Sequence, residues 1–307
     1  MALQALGFIE LPPHVGEGGF DHAAVHEATG HVYVAHTAND ALDVLDVEQR
    51  WYLGSIDGLT AVAGALVAEP DTVFTSNRGE NTVGIMRVGQ SGPVEKVAMG
   101  LRPNGLAYDG GRNRLLAAHV GDPDVPGSRT VSIVDVGTRT RVADLPVAGR
   151  TRWTVYDPVA DVFHVNIADP PQIVAVRAGD PPRVERIAPM PEAGPHGLDI
   201  DLERRRLFCA CDASVLLEVD ADSGKVLGRE AIAGVPDVVF FNRKLQRLYV
   251  AIGDPGVIEV FDTSPLRRHE TVATEGGAHT LSFDAGRNII CAFLPGSHRA
   301  AVYRDHS

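Results

Sequence analysis

The sequence is poor in cysteine and has no long apolar run. Its three cysteines (Cys209, Cys211 and Cys291) are too few and odd in number for a disulfide framework. That usage favours a reducing compartment, and we predict a cytoplasmic protein. No stretch reaches 18 uninterrupted apolar residues, and the start, MALQALGFIELPPH, has no basic region before an apolar stretch. We therefore predict neither a membrane span nor a secretory signal.

Positive charge is also scarce. The chain has 28 Lys and Arg against 40 Asp and Glu, a net charge of −12. Proteins that follow a phosphate backbone carry a basic stripe, and no such stripe is present, so nucleic acid is not an expected partner. Glycine (32) and proline (20) are spread along the chain, which is typical of many short strands joined by turns.

A unit of roughly 40 to 48 residues repeats seven times along the chain. Each unit contains a strand of the type HVYVAH (31–36) and then an alternating strand of the type ALDVLDV (41–47). Alternation of apolar and polar residues between Gly, Pro and Asp turns indicates half-buried strands. Four strands per unit at this period predict an all-β, seven-bladed β-propeller with four-stranded blades.

The seventh unit ends just after its third strand, so its fourth strand is missing. Residues 3–11, LQALGFIEL, precede the first complete unit and form a spare strand. We predict that this N-terminal strand closes blade seven, which leaves no long open sheet edge. No linker is visible, so residues 1–307 are predicted to be one propeller domain.

Two segments, TVFTSNRGENTVGIMRV (72–88) and HVGDPDVPGSRTVSIVDV (119–136), resemble the YVTN repeat of YncE-like propeller proteins. That resemblance extends over the whole chain and implies the seven-bladed fold. It implies little about activity, because propellers serve as enzymes, binders and scaffolds.

Aligning the units yields two series of equivalent positions. We expect both at one end of the central channel, because in an antiparallel pair the start of one strand lies beside the end of its neighbour. The first series, at the start of each innermost strand, is His22, Ala63, Asn104, Arg152, His196, Asp237 and His279. The second series, at the end of the next strand, is His36, Asn77, His119, Asn166, Cys211, Ile252 and Phe293.

Histidine is concentrated in these series, and imidazole can be a metal ligand, a proton carrier or a hydrogen-bonding spacer. We predict a divalent transition metal, Zn²⁺ or similar, held by some of His22, His36, His196 and His279. The alternative is that these histidines line a hydrated channel. For Asn77 and Asn166 the alternative to a site role is the capping of turns.

A second set of segments, RPNGLA (102–107) and GPHGLD (194–199), resembles inner-strand motifs of gluconolactonase-like propellers. That resemblance implies a divalent metal at the channel mouth, with Asn104 matching an asparagine ligand of the family. His196 stands where the family has an aspartate, and this departure favours a transition metal over a hard cation.

These observations lead to two hypotheses. The first is a metal-dependent hydrolase, lactonase-like, or lyase that acts on a small polar or anionic molecule. In it Asp237, His119 or His196 is the general base, and Arg152 and Asn104 orient the substrate. Further candidates for substrate contact are Trp153, Asn77, Asn166, Cys211 and Phe293. The second hypothesis is a non-catalytic propeller that binds a ligand or a protein, and a pH sensor built on the same histidines is a third. The oligomeric state is left open.

Overall fold

The computed structural model describes residues 2–90 and 92–306, and its secondary structure is almost entirely β-strand. In those ranges the one helical segment is a 3-10 turn, Thr37–Asn39. No helix in this part of the chain is long and apolar enough to cross a bilayer.

The strands of the first four units follow one another in chain order. They are β1 (Leu3–Glu10), β2 (Phe20–His26), β3 (His31–His36), β4 (Ala41–Asp46), β5 (Trp51–Asp57), β6 (Val62–Ala68), β7 (Thr72–Asn77), β8 (Thr82–Arg87), β9 (Glu95–Ala98), β10 (Pro103–Asp109), β11 (Arg114–His119), β12 (Thr130–Asp135), β13 (Thr140–Pro146), β14 (Thr151–Asp157), β15 (Val162–Ile167), β16 (Gln172–Arg177) and β17 (Arg183–Pro189).

The last three units continue the same pattern. Their strands are β18 (Pro195–Asp201), β19 (Arg206–Cys211), β20 (Val215–Asp220), β21 (Val226–Ala231), β22 (Pro236–Asn242), β23 (Arg247–Ile252), β24 (Val257–Thr263), β25 (Leu266–Ala273), β26 (Thr280–Asp284), β27 (Ile289–Leu294) and β28 (Arg299–Asp305).

These strands form seven antiparallel four-stranded sheets, one per blade. Six sheets take four consecutive strands, and the seventh has the order β1-β28-β27-β26. Strand β1 pairs with β28 from Leu3 opposite Asp305 to Glu10 opposite Arg299. The predicted seven-bladed propeller and its closure by the N-terminal strand are therefore confirmed.

The innermost strand of each blade contacts the innermost strands of both neighbours, and contacts between β26 and β2 complete the ring. The second strands are the most deeply buried, as in HVYVAH of β3 and RLFCAC of β19. Full burial of one large aliphatic or aromatic side chain contributes roughly 1.5–3 kcal/mol, more than an exposed ion pair provides. The faces between blades therefore hold the ring together.

The innermost strands share one irregularity near their start. In six of the seven blades, all except blade seven, the register against the second strand shifts within the first four residues, as in a β-bulge. A bulge leaves residues without a partner and turns their side chains away from the regular alternation. In this propeller the displaced residues include Asn104, Arg152, His196 and Asp237.

Close packing between blades accompanies the bulges. A Cβ atom added to Gly105 would lie 2.6 Å from the carbonyl oxygen of Arg152, and one added to Gly197 would lie 2.5 Å from that of Asp237. Real Cβ atoms do not approach so closely. Glycine at these two positions lets each bulge seat against the innermost strand of the next blade.

Candidate functional site

The bulges and the loops beside them bring a set of charged and polar side chains to one end of the channel. We call this end the mouth. The set, here the mouth cluster, is Asp21, Arg78, Asn104, Arg152, His196, Asp212, Asp237 and His279. Asn104, Arg152, His196, Asp237 and His279 of the predicted first series belong to it.

His196 is the most connected member of the mouth cluster. Its Nδ1 donates to Oδ1 of Asp212 over 2.7 Å, and its Nε2 lies 3.1 Å from Oδ1 of Asp237. Burial by itself would lower the pKa of His196, but Asp237 and Asp212 outweigh burial and raise that pKa to about 9. The imidazole is therefore cationic at neutral pH.

Arg152 meets the same imidazole. Its Nη1 lies 3.1 Å from Nε2 of His196, and its Nη2 donates to Oδ2 of Asp212 over 3.2 Å. A hydrogen bond from Nη1 would need an unprotonated Nε2, whereas contact with Asp237 needs a proton there. The protonated form is favoured because two carboxylates face the ring. Arg152 and His196 are then two cations that share Asp212, and His196 also contacts Asp237.

Asp237 lies at the centre of the histidines. Its Oδ2 is 3.7 Å from Nε2 of His279, and its side chain is 18% exposed. Burial would raise the pKa of Asp237, but His196 above all, with help from His279 and His22, holds it well below its ordinary value. Asp237 is therefore a carboxylate at any physiological pH and a weak base.

His279 differs from His196 in how its ring is held. Its Nδ1 donates to the carbonyl oxygen of Gly277 over 2.8 Å, which leaves Nε2 as the nitrogen that faces the channel. The side chain is 36% exposed. A ring fixed by a backbone carbonyl, with the second nitrogen open, is arranged to accept a proton.

In blade one the strand register places Asp21, one residue earlier than predicted, at the position equivalent to Arg152 and His196. Asp21 Oδ2 accepts a bond from Nη2 of Arg78 over 3.1 Å, and the same Nη2 donates to Oδ1 of Asn104 over 2.5 Å. A charged link thus runs across blades one, two and three.

His22 points down the channel and contacts Trp153. Its ring centre lies 4.1 Å from that of the indole. His22 is 5% exposed, and burial lowers its pKa in spite of Asp21 and Asp237. Because blades one and four lie on opposite sides of the ring, Trp153 spans the channel and closes the mouth from below.

Beneath Trp153 the channel widens into a second space, which we call the lower cavity. Its volume is about 380 Å³, and its lining includes Leu66, Ala107, Thr154, Tyr156, Asp199 and Phe240. Trp153 and His22 also line it, whereas Arg152, His196, Asp237 and His279 do not. The channel therefore has a charged upper part and a largely apolar lower part.

The second predicted series lies one strand further out and does not reach the channel. His36 is fully buried, with Nδ1 2.7 Å from Oδ2 of Asp43. His119 is fully buried too, with Nε2 2.7 Å from Oγ of Ser132, and burial lowers its pKa to about 4. Only the innermost strand borders a propeller channel, so side chains at the end of the second strand pack between blades.

The remaining members of that series are also in the interior. Asn77 donates to Oγ1 of Thr82 over 3.0 Å, and Phe293 packs against Phe20 with ring centres 5.6 Å apart. Cys211 is buried, with its sulfur 3.9 Å from that of Cys209.

The alignment is one residue out in blade four. Ile167, and not Asn166, faces Thr151 at the strand end. Asn166 instead donates to the carbonyl oxygens of His196 and Gly197 over 3.0 and 3.2 Å. It therefore supports the bulge of blade five from the neighbouring blade.

The mouth cluster does not fit the predicted histidine metal site. Among residues 2–90 and 92–306, no three His, Cys, Asp or Glu side chains are arranged to hold a metal ion. His36 lies in a different part of the molecule from the other three predicted ligands. Both nitrogens of His196 already face carboxylates, so a metal would have to displace a proton and one of those contacts.

Four residues of the site were not predicted from the sequence: Asp21, Arg78, Asp212 and Asp199. Arg78 and Asp212 each follow directly after a second strand, at the turn that faces the mouth. The alignment of the units already showed this shared position, so it could have identified both residues as candidates. Asp199 falls on a regular part of an innermost strand, and although it ends the segment GPHGLD, that resemblance drew attention to His196 instead.

Comparison with known proteins identifies an architecture only. No protein-family model matches the chain, and no curated protein matches it. Among solved structures, a hydrazine synthase chain from Kuenenia stuttgartiensis superposes with a TM-score of 0.81 at 12% identity, over 95% of this chain and 97% of that one. At this identity the likeness shows the fold alone: the chain is similar to a seven-bladed β-propeller, and its membership of a YncE-like family stays a prediction.

Proposed function

We propose that the mouth binds a small anionic molecule and that the protein is an enzyme, a hydrolase or lyase, acting on it there. The observation that carries this proposal is a group of four arginines around the mouth, Arg78, Arg102, Arg150 and Arg152. Partial removal from water, with the positive charges of Arg152, Arg78 and Arg102, lowers the pKa of Arg150. The four guanidinium groups are thus near one another in a chain of net charge −12.

Part of this positive charge is unused by the protein. Within the described part of the chain, Arg102 and Arg150 have no carboxylate within 4.0 Å. The buried Nε–H groups of Arg78 and Arg152 have no hydrogen-bond partner there either. An arginine fork recognises a carboxylate or phosphate through paired N–H groups, so an anion at the mouth would satisfy these donors.

Proton transfer in this proposal belongs to His279. Its Nε2 accepts a proton from the substrate or from an attacking water, and the nearby Asp237 stabilises the imidazolium that results. His196 and Arg152 supply positive charge for an oxygen that becomes negative in the transition state. Because both nitrogens of His196 are already engaged, it acts as a fixed charge and not as the base.

No step of the proposed reaction uses a metal, because the described His, Cys, Asp and Glu side chains are not arranged to bind one. The predicted divalent transition metal is tested by mass-spectrometric metal analysis of untagged protein beside a variant of a predicted ligand in the mouth cluster, His279→Ala. One equivalent of metal in the wild type, lost in the variant, would return the metal to the mouth. The same metal content in both proteins would keep it out of the mouth.

Binding is tested by calorimetric titration with malonate, succinate and citrate. We expect the Arg102→Ala/Arg150→Ala double variant to bind at least tenfold more weakly than the wild type. Arg243→Ala is the matched control, because Arg243 is exposed and follows an innermost strand at the opposite end of the channel. Equal affinity in all three proteins would overturn the anion site.

Catalysis is tested by a pH-indicator screen of lactones and esters and by an absorbance screen for elimination from hydroxy acids. For any substrate found, we expect His279→Ala to lower kcat by about 10²–10⁴, the usual contribution of a general base. Unchanged kcat in His279→Ala would remove its role.

A specific observation also favours the non-catalytic alternative. Arg152, His196, Asp212 and Asp237 pair their charges with one another, so this part of the mouth cluster is held in place before any ligand arrives. Such a network suits a rigid binding surface as well as an active site. Tight anion binding without turnover in either screen would select this function.

A further inference from the structure

We infer that the lower cavity is a second ligand site, which binds a small organic ammonium ion through Asp199 and Thr154. This site is separate from the proposed anion site, because Trp153 and His22 lie between the two. The inference rests on an unpaired carboxylate, an unpartnered hydroxyl and aromatic walls around one cavity.

Asp199 is the one acidic or permanently charged side chain that lines the lower cavity. Its Oδ2 accepts from the backbone N–H of Phe241 over 2.6 Å, and its Oδ1 accepts from that of Ile200 over 2.7 Å. No Lys, Arg or His in the described part of the chain lies within 4.0 Å of it. Burial raises the pKa of Asp199 to about 6 despite these two bonds, as expected for a carboxylate without a counter-charge.

Two backbone bonds leave lone pairs free on each carboxylate oxygen. Asp199 is partly buried, and a partly buried anion without a cation loses hydration, a cost that a bound cation would offset. The negative charge is fixed in place by the backbone of two adjacent blades, so a ligand would not have to order it. A preorganised charge of this kind is typical of a binding site.

Thr154 supplies the second polar group. It is 4% exposed and lines the lower cavity, and its Oγ1 has no hydrogen-bond partner among the described residues. Buried hydroxyls are nearly always bonded, so an unpartnered hydroxyl on a residue that lines the cavity suggests a missing partner. Thr154 and Asp199 lie on the innermost strands of neighbouring blades. One ammonium group has three N–H donors, enough for both.

The rest of the wall favours an organic cation over a metal ion. Trp153, Tyr156 and Phe240 present aromatic rings, which attract ammonium groups over their faces. Leu66, Ala107 and Val239 add aliphatic surface for a hydrocarbon portion. A hard metal ion would need six or more oxygen ligands, and the lining offers a single carboxylate. The volume of about 380 Å³ lies at the small end of ligand pockets.

The test is calorimetric titration with butylammonium, with 1-butanol as the neutral probe of the same shape. We expect the wild type to bind butylammonium at least tenfold more tightly than 1-butanol. Asp199→Asn should remove that difference, and Thr154→Val should weaken butylammonium about threefold. Butylammonium affinity should fall as the pH drops below about 6, because protonation removes the anion.

Leu66→Phe keeps Asp199 intact and fills the cavity, so it should weaken both probes while the fold is unchanged. If Asp199→Asn fails to fold, Leu66→Phe still tests whether the ligand occupies the lower cavity. The inference is overturned if butylammonium binds no better than 1-butanol, or if Asp199→Asn and Leu66→Phe both bind it as the wild type does. Arg102→Ala/Arg150→Ala should leave butylammonium binding unchanged, so failure of the anion site and failure of this site are distinguishable.

Discussion

The two halves of the channel treat charge in opposite ways. In the mouth, His196 contacts Asp212 and Asp237, Arg152 contacts Asp212, and every charge in that group therefore has a partner. In the lower cavity, Asp199 has only backbone donors. Innermost strands of the same ring form the walls of both halves, although none of the residues that line the lower cavity belongs to β26. The difference arises from the bulges, which gather side chains from several blades at the mouth, while the regular part of the strands leaves a single acid alone.

The separation of the two halves is the easiest feature to break. Trp153→Ala removes the side chain between them, and we expect unfolding free energy to fall by about 3 kcal/mol, the cost of a large aromatic cavity. Trp51→Ala is the control, because Trp51 is 64% exposed and should change stability by less than about 0.5 kcal/mol. Urea unfolding measures both. A loss in Trp153→Ala as small as in the control would mean that the indole does not seal the channel.

The pH dependence of stability should distinguish the halves. Asp199 and His196 both have folded-state pKa values above their unfolded values, so the stability each contributes is present at low pH and lost as pH rises. For Asp199 the loss falls between about pH 4 and 6, and for His196 between about pH 6.5 and 9. Each pKa lies slightly more than two units above its ordinary value, so we expect a loss of about 3 kcal/mol in each window.

Asp199→Asn and His196→Gln identify the two windows. Urea unfolding from pH 4 to 9.5 should show that the first variant lacks the acidic loss and the second lacks the alkaline one. If Asp199→Asn abolished the alkaline loss of stability, or His196→Gln the acidic one, the two titrations would not be independent.

Asp237 is expected to control the protonation of His196 alone. Asp237→Asn removes the largest influence that raises the pKa of His196, so that pKa should fall by at least one unit, about 1.4 kcal/mol. The pKa of Asp199, across the indole, should not move. NMR titration of the imidazole and carboxyl resonances measures both. Equal shifts at both residues would contradict two electrostatically separate halves.

The smallest expected effect concerns the boundary between the mouth and the blade interior. Cys209, Cys211 and Cys291 are all buried, and burial raises the pKa of Cys291 to about 12. We expect none to react with a thiol reagent in native buffer and all three to react in denaturant. If one thiol reacted rapidly in native buffer and Cys211→Ser abolished that reaction, Cys211 would be accessible from the mouth.

The sequence was sufficient for the fold because strand alternation and the period of the repeat are properties of each residue and its neighbours. Closure by residues 3–11 followed from counting strands. Asn104, Arg152, His196 and Asp237 were correctly aligned, and each is the second residue of an innermost strand. His22 was placed one position late, because the equivalent second residue of β2 is Asp21.

The site was less predictable than the fold. His36 and His119 lie at the right height but one strand too far out, and only the packing of blades shows that difference. Asp212 and Arg78 matter through partners that come from other blades. Distances across a ring of seven units are not encoded in spacing along the chain, so those partnerships required the structure.

Closure of blade seven has a consequence for how the chain could be rearranged. The backbone N–H of His306 donates to the carbonyl oxygen of Ala2 over 3.2 Å, so residues 2 and 306 are direct neighbours. A short linker between them would make the ring continuous, and the chain could then be opened in any loop between two blades. Circular permutation should therefore preserve the architecture, because the starting point of the chain and the order of blades around the axis are independent choices.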